Sequence, residues 1–277
     1  MIDNNFDYLN NQVIYGGFKA IPSDELRKQM ELNQQDFQLS MNTAYGTDKV
    51  TATLSFSKSG KSDLYFFNHY DVEVQKEGQN DTMKQRFYIN NRGSSITLKE
   101  AYNLMEGRAV HKTLTNKADD KYEAWVQLDF KNVKEDGNYK MNTYSEKYGF
   151  DLEKTLALYP IKELENHQFR DGLLDSLKRG NRQAVTLVKD GQETKRFVEA
   201  APQYKVINFY DEHNRNRVAE RTAQGQAQKD NNENEQSAKA QNSQKQQSSK
   251  GQSKAESKTV QGEAAAKKRS SRRKMSA

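Results

Sequence analysis

Residues 49–56, "KVTATLSF", alternate in character, with Val50, Ala52, Leu54 and Phe56 set against Thr51, Thr53 and Ser55. A period of two predicts a strand with one buried face. The following stretch, "DLYFFNHYDVEV", is rich in aromatic and β-branched residues and predicts a second strand. Strict alternation would place Leu64, Phe66, Tyr70, Val72 and Val74 on one of its faces and Tyr65, Phe67 and His69 on the other. Helical spacing appears elsewhere. Residues 23–33 start after Pro22 and place Leu26, Met30 and Leu32 on one side. Residues 97–107 open on a capping box formed by Thr97 and Glu100 and stop at Gly107. Residues 167–180 carry Phe169, Leu173, Leu174 and Leu177 on one face and end at Gly180.

Each of these helices is followed by strand signals. The first block continues into "FQLSMNTAYG", "KVTATLSF" and "LYFFNHYDVEV". The second continues into "RAVHKTLTN", "YEAWVQLDF" and "NYKMNTY", and the third into "QAVTLVKDG", "TKRFVEA" and "YKVINFYD". The expected fold is therefore α+β, built of repeated helix-β-β-β units with antiparallel strands and helices on one side. Ala52, Ala124 and Ala200 mark the register of the repeat, and "KDGQ" at residues 189–192 reads as a two-residue hairpin turn. The segment "FDLEKTLALYPIKEL" reads as a helical connector, with Asp151 as N-cap and Pro160 as terminator. The expected boundaries are 1–92, 93–148 and 149–213 for the three units, the last including the connector, and 214–277 for a tail.

The tail changes the picture of composition. Every Phe, Tyr and Trp lies at or before Tyr210, and from Ala219 onward the chain is Gln, Asn, Ser, Lys and Ala. Such a segment cannot bury enough apolar surface to offset its chain entropy and is expected to be disordered. Residues 219–277 carry 13 Lys/Arg and 6 Asp/Glu, out of 44 and 38 in the whole chain. The net charge of +6 thus belongs to the tail, and residues 1–218 are close to neutral.

Candidate chemistry is sparse. "SFSKSGKSD" holds the Gly60-Lys61-Ser62 end of a phosphate-binding loop, but a strand follows it where a helix is required, so it reads as a hairpin turn. His69, His111, His167 and His213 have no metal-ligand spacing, and no serine sits in a nucleophile elbow. The absence of cysteine excludes disulfides and thiolate chemistry. No enzyme, cofactor or metal is expected. There is no apolar run of the ~18 residues a membrane span needs and no apolar leader, so a cytoplasmic protein without membrane attachment is expected. Two contact surfaces remain. Lys267, Lys268, Arg269, Arg272, Arg273 and Lys274 place six positive charges in "KKRSSRRK", a cluster suited to nonspecific phosphate contacts with DNA. Tyr65 and Phe67 could form a stacking platform for single-stranded nucleic acid, flanked by Lys58, Lys61, Lys84 and Arg86. Trp125, the single tryptophan, could be roofed by a helix or serve as an interface anchor.

Several stretches resemble accessory proteins of unknown function carried by Bacteroidetes conjugative transposons. They are "LYFFNHYDV", "ITLKEAYNLMEGRAV", "YEAWVQLDF", "YGFDLEKTLALYPIKEL", "GNRQAVTLVKDG" and "APQYKVINFYD". The likeness covers most of residues 5–211. It implies a bacterial cytoplasm and a setting among mobilisation and excision genes, including a type IA topoisomerase. No catalytic or binding residue follows from it. Two function classes compete on these grounds. One is a non-enzymatic, DNA-associated accessory factor of a mobile element. The other is a protein-interaction module that docks on a mobilisation or topoisomerase partner without nucleic acid.

Overall fold

The alternation of residues 49–56 is realised as the second strand of a four-stranded antiparallel meander. A computed structural model describes residues 2–90, 94–220 and 222. The described residues form five α-helices and eleven strands in three antiparallel sheets. Helices α1 (Ile2–Tyr15) and α2 (Ser23–Glu31) precede a sheet of β1 (Asp36–Tyr45), β2 (Asp48–Lys58), β3 (Tyr65–Gln75) and β4 (Thr82–Tyr88). Helix α3 (Leu98–Met105) precedes a sheet of β5 (Val110–Thr115), β6 (Lys121–Val133) and β7 (Tyr139–Ser145). Helices α4 (Leu152–Leu156) and α5 (His167–Lys178) precede β8 (Gln183–Lys189), β9 (Gln192–Ala201), β10 (Val206–Tyr210) and β11 (Arg217–Val218). In every sheet the strands pair in chain order.

Helices followed by an antiparallel meander recur three times, but only the middle sheet has the expected three strands; β4 and β11 give the other two sheets a fourth. Ala52, Ala124 and Ala200 are all buried, each in the second strand of its sheet. Local chemistry sets the boundaries. The Thr97 side chain accepts from the Glu100 N–H and the Glu100 carboxylate accepts from the Thr97 N–H, which completes the capping box. Asp151 caps α4 by accepting from the Lys154 N–H, and Asp190 and Gly191 both have positive φ, as a two-residue hairpin turn requires. The 55–62 stretch is the end of β2 and its turn, where the Ser59 N–H donates to the Leu64 carbonyl at 2.8 Å.

Two cores run through the chain. The first holds Leu9, Phe18, Leu26, Phe56, Tyr70 and Leu104 between the first sheet and α1, α2 and α3. The second holds Leu156, Leu177, Val198, Ile207 and Phe209 around the third sheet. The middle sheet serves both. Val110, Val126 and Leu128 face the first core, whereas Ala109 and Trp125 face the second. This is why Ala124, Trp125 and Val126 are buried in succession.

Three expectations about faces fail. In β3, Ser55 pairs with His69 but Phe56 pairs with Phe67, so Asn68 is an extra, bulged residue. The bulge switches parity, and Tyr65 and Phe67 share the buried face with Tyr70, Val72 and Val74 while Phe66 is exposed. In β6, the register jumps between Asp129 and Val133, and Phe130, two residues past the buried Leu128, is exposed. Leu32, just past α2, is exposed, and Phe169, in the first turn of α5, is 64% exposed, whereas Leu173 and Leu177 are buried in the second core and Leu174 packs against it. The third unit also extends beyond residue 213, since β11 pairs with β10 and Arg196 Nε lies 2.5 Å from Glu220.

Candidate functional site

The bulge at Asn68 dismantles the proposed stacking platform. Tyr65 is 3% exposed and Phe67 is 2% exposed. Phe67 stacks on Phe56 at 4.9 Å, and the Tyr65 hydroxyl donates to the Gln34 carbonyl at 2.6 Å. Both rings are core elements and offer no face to a base. Trp125 is likewise 5% exposed and packs edge-on against His111 and Phe150, at 5.2 and 5.6 Å. It is not an exposed anchor. The six basic residues at 267–274 lie outside the described residues.

The solvent face of the first sheet carries a different arrangement. Outward side chains form rows across the strands. Gln38 donates to Ser55 at 3.1 Å, Ser40 and Thr53 share a hydrogen bond of 3.1 Å, and Thr51 donates to Asn42 at 2.8 Å. Toward β4 the rows become ionic. Arg86 binds Asp71 through Nε and Nη2 at 2.7 and 2.9 Å, and Lys84 meets Glu73 at 2.6 Å. Asp71 raises the Arg86 pKa still further, so the guanidinium stays charged and paired. Lys58 is held by Asn33 and Asp63. Three of the four cations expected beside the platform are therefore committed to partners within the fold. At one corner, Tyr88 is 67% exposed and its ring lies 5.9 Å from His69. Burial, with Arg86 nearby, holds the His69 pKa below its usual value, although Asp71 opposes this.

The same edge of the sheet borders a groove. The Arg86 N–H donates to Asn138 Oδ1 at 2.7 Å, and Gln85 Oε1 accepts from the Tyr139 N–H at 2.8 Å. These bonds clamp β4 to the start of β7. Beside the clamp lies a cavity of about 280 Å³ with an apolar floor of Ile96, Leu114, Val126 and Met141. Its rim is polar and includes Arg86, Tyr88, Ser95, Lys134 and Asp136. An apolar floor with a mixed-charge rim suits a noncovalent contact.

A second polar assembly joins the middle and third units, and no spacing in the sequence announces it. Glu199 is buried in β9 and accepts from Arg182 Nε and Nη2 at 3.1 and 3.0 Å, from the Tyr210 hydroxyl at 2.5 Å and from Asn208 at 3.1 Å. The Arg182 guanidinium lies 3.5 Å over the Tyr210 ring. Burial and the Glu199 charge push the Tyr210 pKa well above that of a free phenol. Nearby, Arg108 Nη2 donates to Asn103 Oδ1 at 2.6 Å, and Asn103 Nδ2 donates to the Arg179 carbonyl at 2.7 Å. Burial holds the Arg108 pKa below its usual value. The one clue in the sequence is a glutamate inside the apolar run "FVEAAP". Its partners satisfy it within the third unit, and the Asn103 bond to Arg179 ties α3 to that unit.

Among the described residues, no group of three or more His, Asp or Glu side chains is placed to hold a metal ion, and no helix is long and apolar enough to cross a membrane. In comparisons with known proteins, no family model, no curated protein and no solved structure matches the chain at a significant level.

Proposed function

We propose that this protein is a non-enzymatic accessory factor that associates with DNA through the basic cluster at residues 267–274. The observation that carries this reading is the partition of charge. Residues 219–277 hold 13 Lys/Arg against 6 Asp/Glu, whereas residues 1–218 are close to neutral and several of their cations are paired with internal carboxylates, as in Arg86–Asp71, Lys112–Glu100 and Arg182–Glu199. A cation already paired must give up its partner before it can take a phosphate. The setting in a mobile genetic element, and the bacterial cytoplasm, rest on the resemblance alone.

The test is fluorescence anisotropy with single- and double-stranded DNA across a salt series. Six phosphate contacts give a slope of log affinity against log salt of roughly −4 to −5, independent of base sequence. Removing residues 223–277, which keeps the Arg196–Glu220 pair, or replacing the six basic residues with Gln, abolishes most binding and leaves the fold intact. Equal affinity and slope for the truncated chain would overturn the proposal.

The groove beside β4 favours a second reading, docking on a protein partner such as a mobilisation protein or a topoisomerase. Partners that survive nuclease treatment in a pull-down, and are lost on Leu114→Asp, support docking. Partners lost with nuclease support DNA association.

A further inference from the structure

Strand β1 is the outer strand of the first sheet, and among the described residues its free side is bare. The Lys58 N–H donates to the Gln35 carbonyl at 2.7 Å, which fixes the phase of the ladder. Odd-numbered residues of β1 then bond to β2, and Gln38, Ser40, Asn42 and Ala44 direct their N–H and C=O groups away from the sheet. None of these four residues has a partner on that side among the described residues.

The other sheet edges are treated differently. The edge of β8 is covered by the connector, with the Val188 N–H on the Pro160 carbonyl at 2.9 Å and the Thr186 N–H on the Glu163 carboxylate. The edge of β5 meets Ser94, and β4 is clamped to β7 by Asn138 and Gln85. Strand β11 is only two residues long. Strand β1 is ten residues long, contains no proline and no bulge, and is uncharged from Phe37 to Tyr45. Long open edges normally carry a lysine, a proline or a bulge that blocks pairing.

We propose that β1 is a dimerisation edge on which a second copy of this chain adds its own β1, antiparallel, across a two-fold axis at Met41. The strand is complementary to itself in this register. Ser40 stands opposite Asn42 of the other copy and Gln38 opposite Ala44, both on the bonding phase that the free edge presents. Polar rows that already run Gln38–Ser55, Ser40–Thr53 and Asn42–Thr51 continue across the junction. On the inner side Phe37 meets Tyr45 and Leu39 meets Thr43. No like charges oppose each other, because the strand has none in this span. The product is a continuous eight-stranded sheet. This dimer is independent of the DNA contact, which it would double in valency.

Sedimentation velocity on the full chain tests the proposal. Concentration-dependent conversion of monomer to dimer is expected, and the double variant Ser40→Lys/Asn42→Lys raises the dissociation constant by about tenfold or more through like-charge contact at the edge. Both side chains face solvent, so thermal unfolding of the variant stays near that of the parent. The cysteine-free chain also allows a single nitroxide at Thr53→Cys. Three strand spacings and a two-residue offset put the two Thr53 Cα atoms about 16 Å apart in the dimer. A chain that stays monomeric at all concentrations, a dimer unaffected by the Lys substitutions, or a label distance far beyond this value each overturns the proposal.

Discussion

Lys112 Nζ lies 2.9 Å from Glu100 Oε2 and 3.2 Å from Glu100 Oε1, and both side chains are almost fully buried. Glu100 also accepts from the Thr97 N–H at 2.9 Å, so one carboxylate caps α3 and ties it to β5. Removing one partner strands a buried charge. Lys112→Met should cost about 3–5 kcal/mol in urea unfolding. Lys112→Met combined with Glu100→Gln should cost less than the sum of the two single changes.

The bulge makes an unusual deletion tolerable. Removing Asn68 closes the extra position and leaves Tyr65, Phe67, Tyr70, Val72 and Val74 on the buried face. Removing Asp71 instead reverses the parity of Val72 and Val74. The expected loss is about 1–2 kcal/mol for the first, set by hydrogen bonds such as Asn68 to Ser57. The second should not fold, as judged by circular dichroism and chemical denaturation.

Two glycines should respond in opposite directions to alanine. Gly180 has φ of +77°, and an added Cβ would lie 2.9 Å from the Ala109 carbonyl oxygen and the Val110 side chain. Gly180→Ala should therefore open the joint between the middle and third units and lower stability by about 2 kcal/mol or more. Gly172 lies within α5 with nothing near its Cβ position, and Gly172→Ala should raise stability by about 0.5–1 kcal/mol. Paired thermal melts check both.

His111 offers a pH readout at the single tryptophan. Its ring lies 5.2 Å from Trp125, and burial lowers its pKa despite the opposing charge of Glu123. Trp fluorescence should titrate with a midpoint below the usual histidine value near 6.5, and His111→Gln should remove the step. The linked stability is present above pH ~6.5 and is lost as pH falls through the lowered pKa, because the unfolded chain then binds more protons.

Alkaline pH should act through buried phenols. Burial raises the pKa of Tyr70, whose hydroxyl donates to the Ile96 carbonyl at 2.5 Å, and also those of Tyr102 and Tyr210. The unfolded chain releases these protons near pH ~10 while the folded chain holds them. Stability is therefore complete below that pH and falls as pH rises beyond it. Absorbance at the tyrosinate band should rise with unfolding, and Tyr70→Phe, despite its basal cost, should flatten the alkaline decline.

The sequence by itself determined what depends on near neighbours. The alternation of β2, the Thr97–Glu100 capping box, the Asp151 cap and the Asp190–Gly191 turn are each set within a few residues, and all stand in the structure. The charge contrast between residues 1–218 and 219–277 is also a property of the sequence alone. Strand β4 was legible in the alternation of Met83, Gln85 and Phe87, and helix α1 in the spacing of Phe6, Leu9 and Val13, although neither was expected. Tertiary structure decided the rest, because it depends on what lies across a gap in space. A single unpaired residue, Asn68, reassigns Tyr65 and Phe67 from a binding face to the core. Trp125 is buried because the middle sheet must satisfy two cores at once. Glu199 is satisfied inside the third unit only when Arg182, Asn208 and Tyr210 converge on it. Periodicity records which residues share a face along one strand, and the packing of distant elements decides which face is covered and where that period breaks.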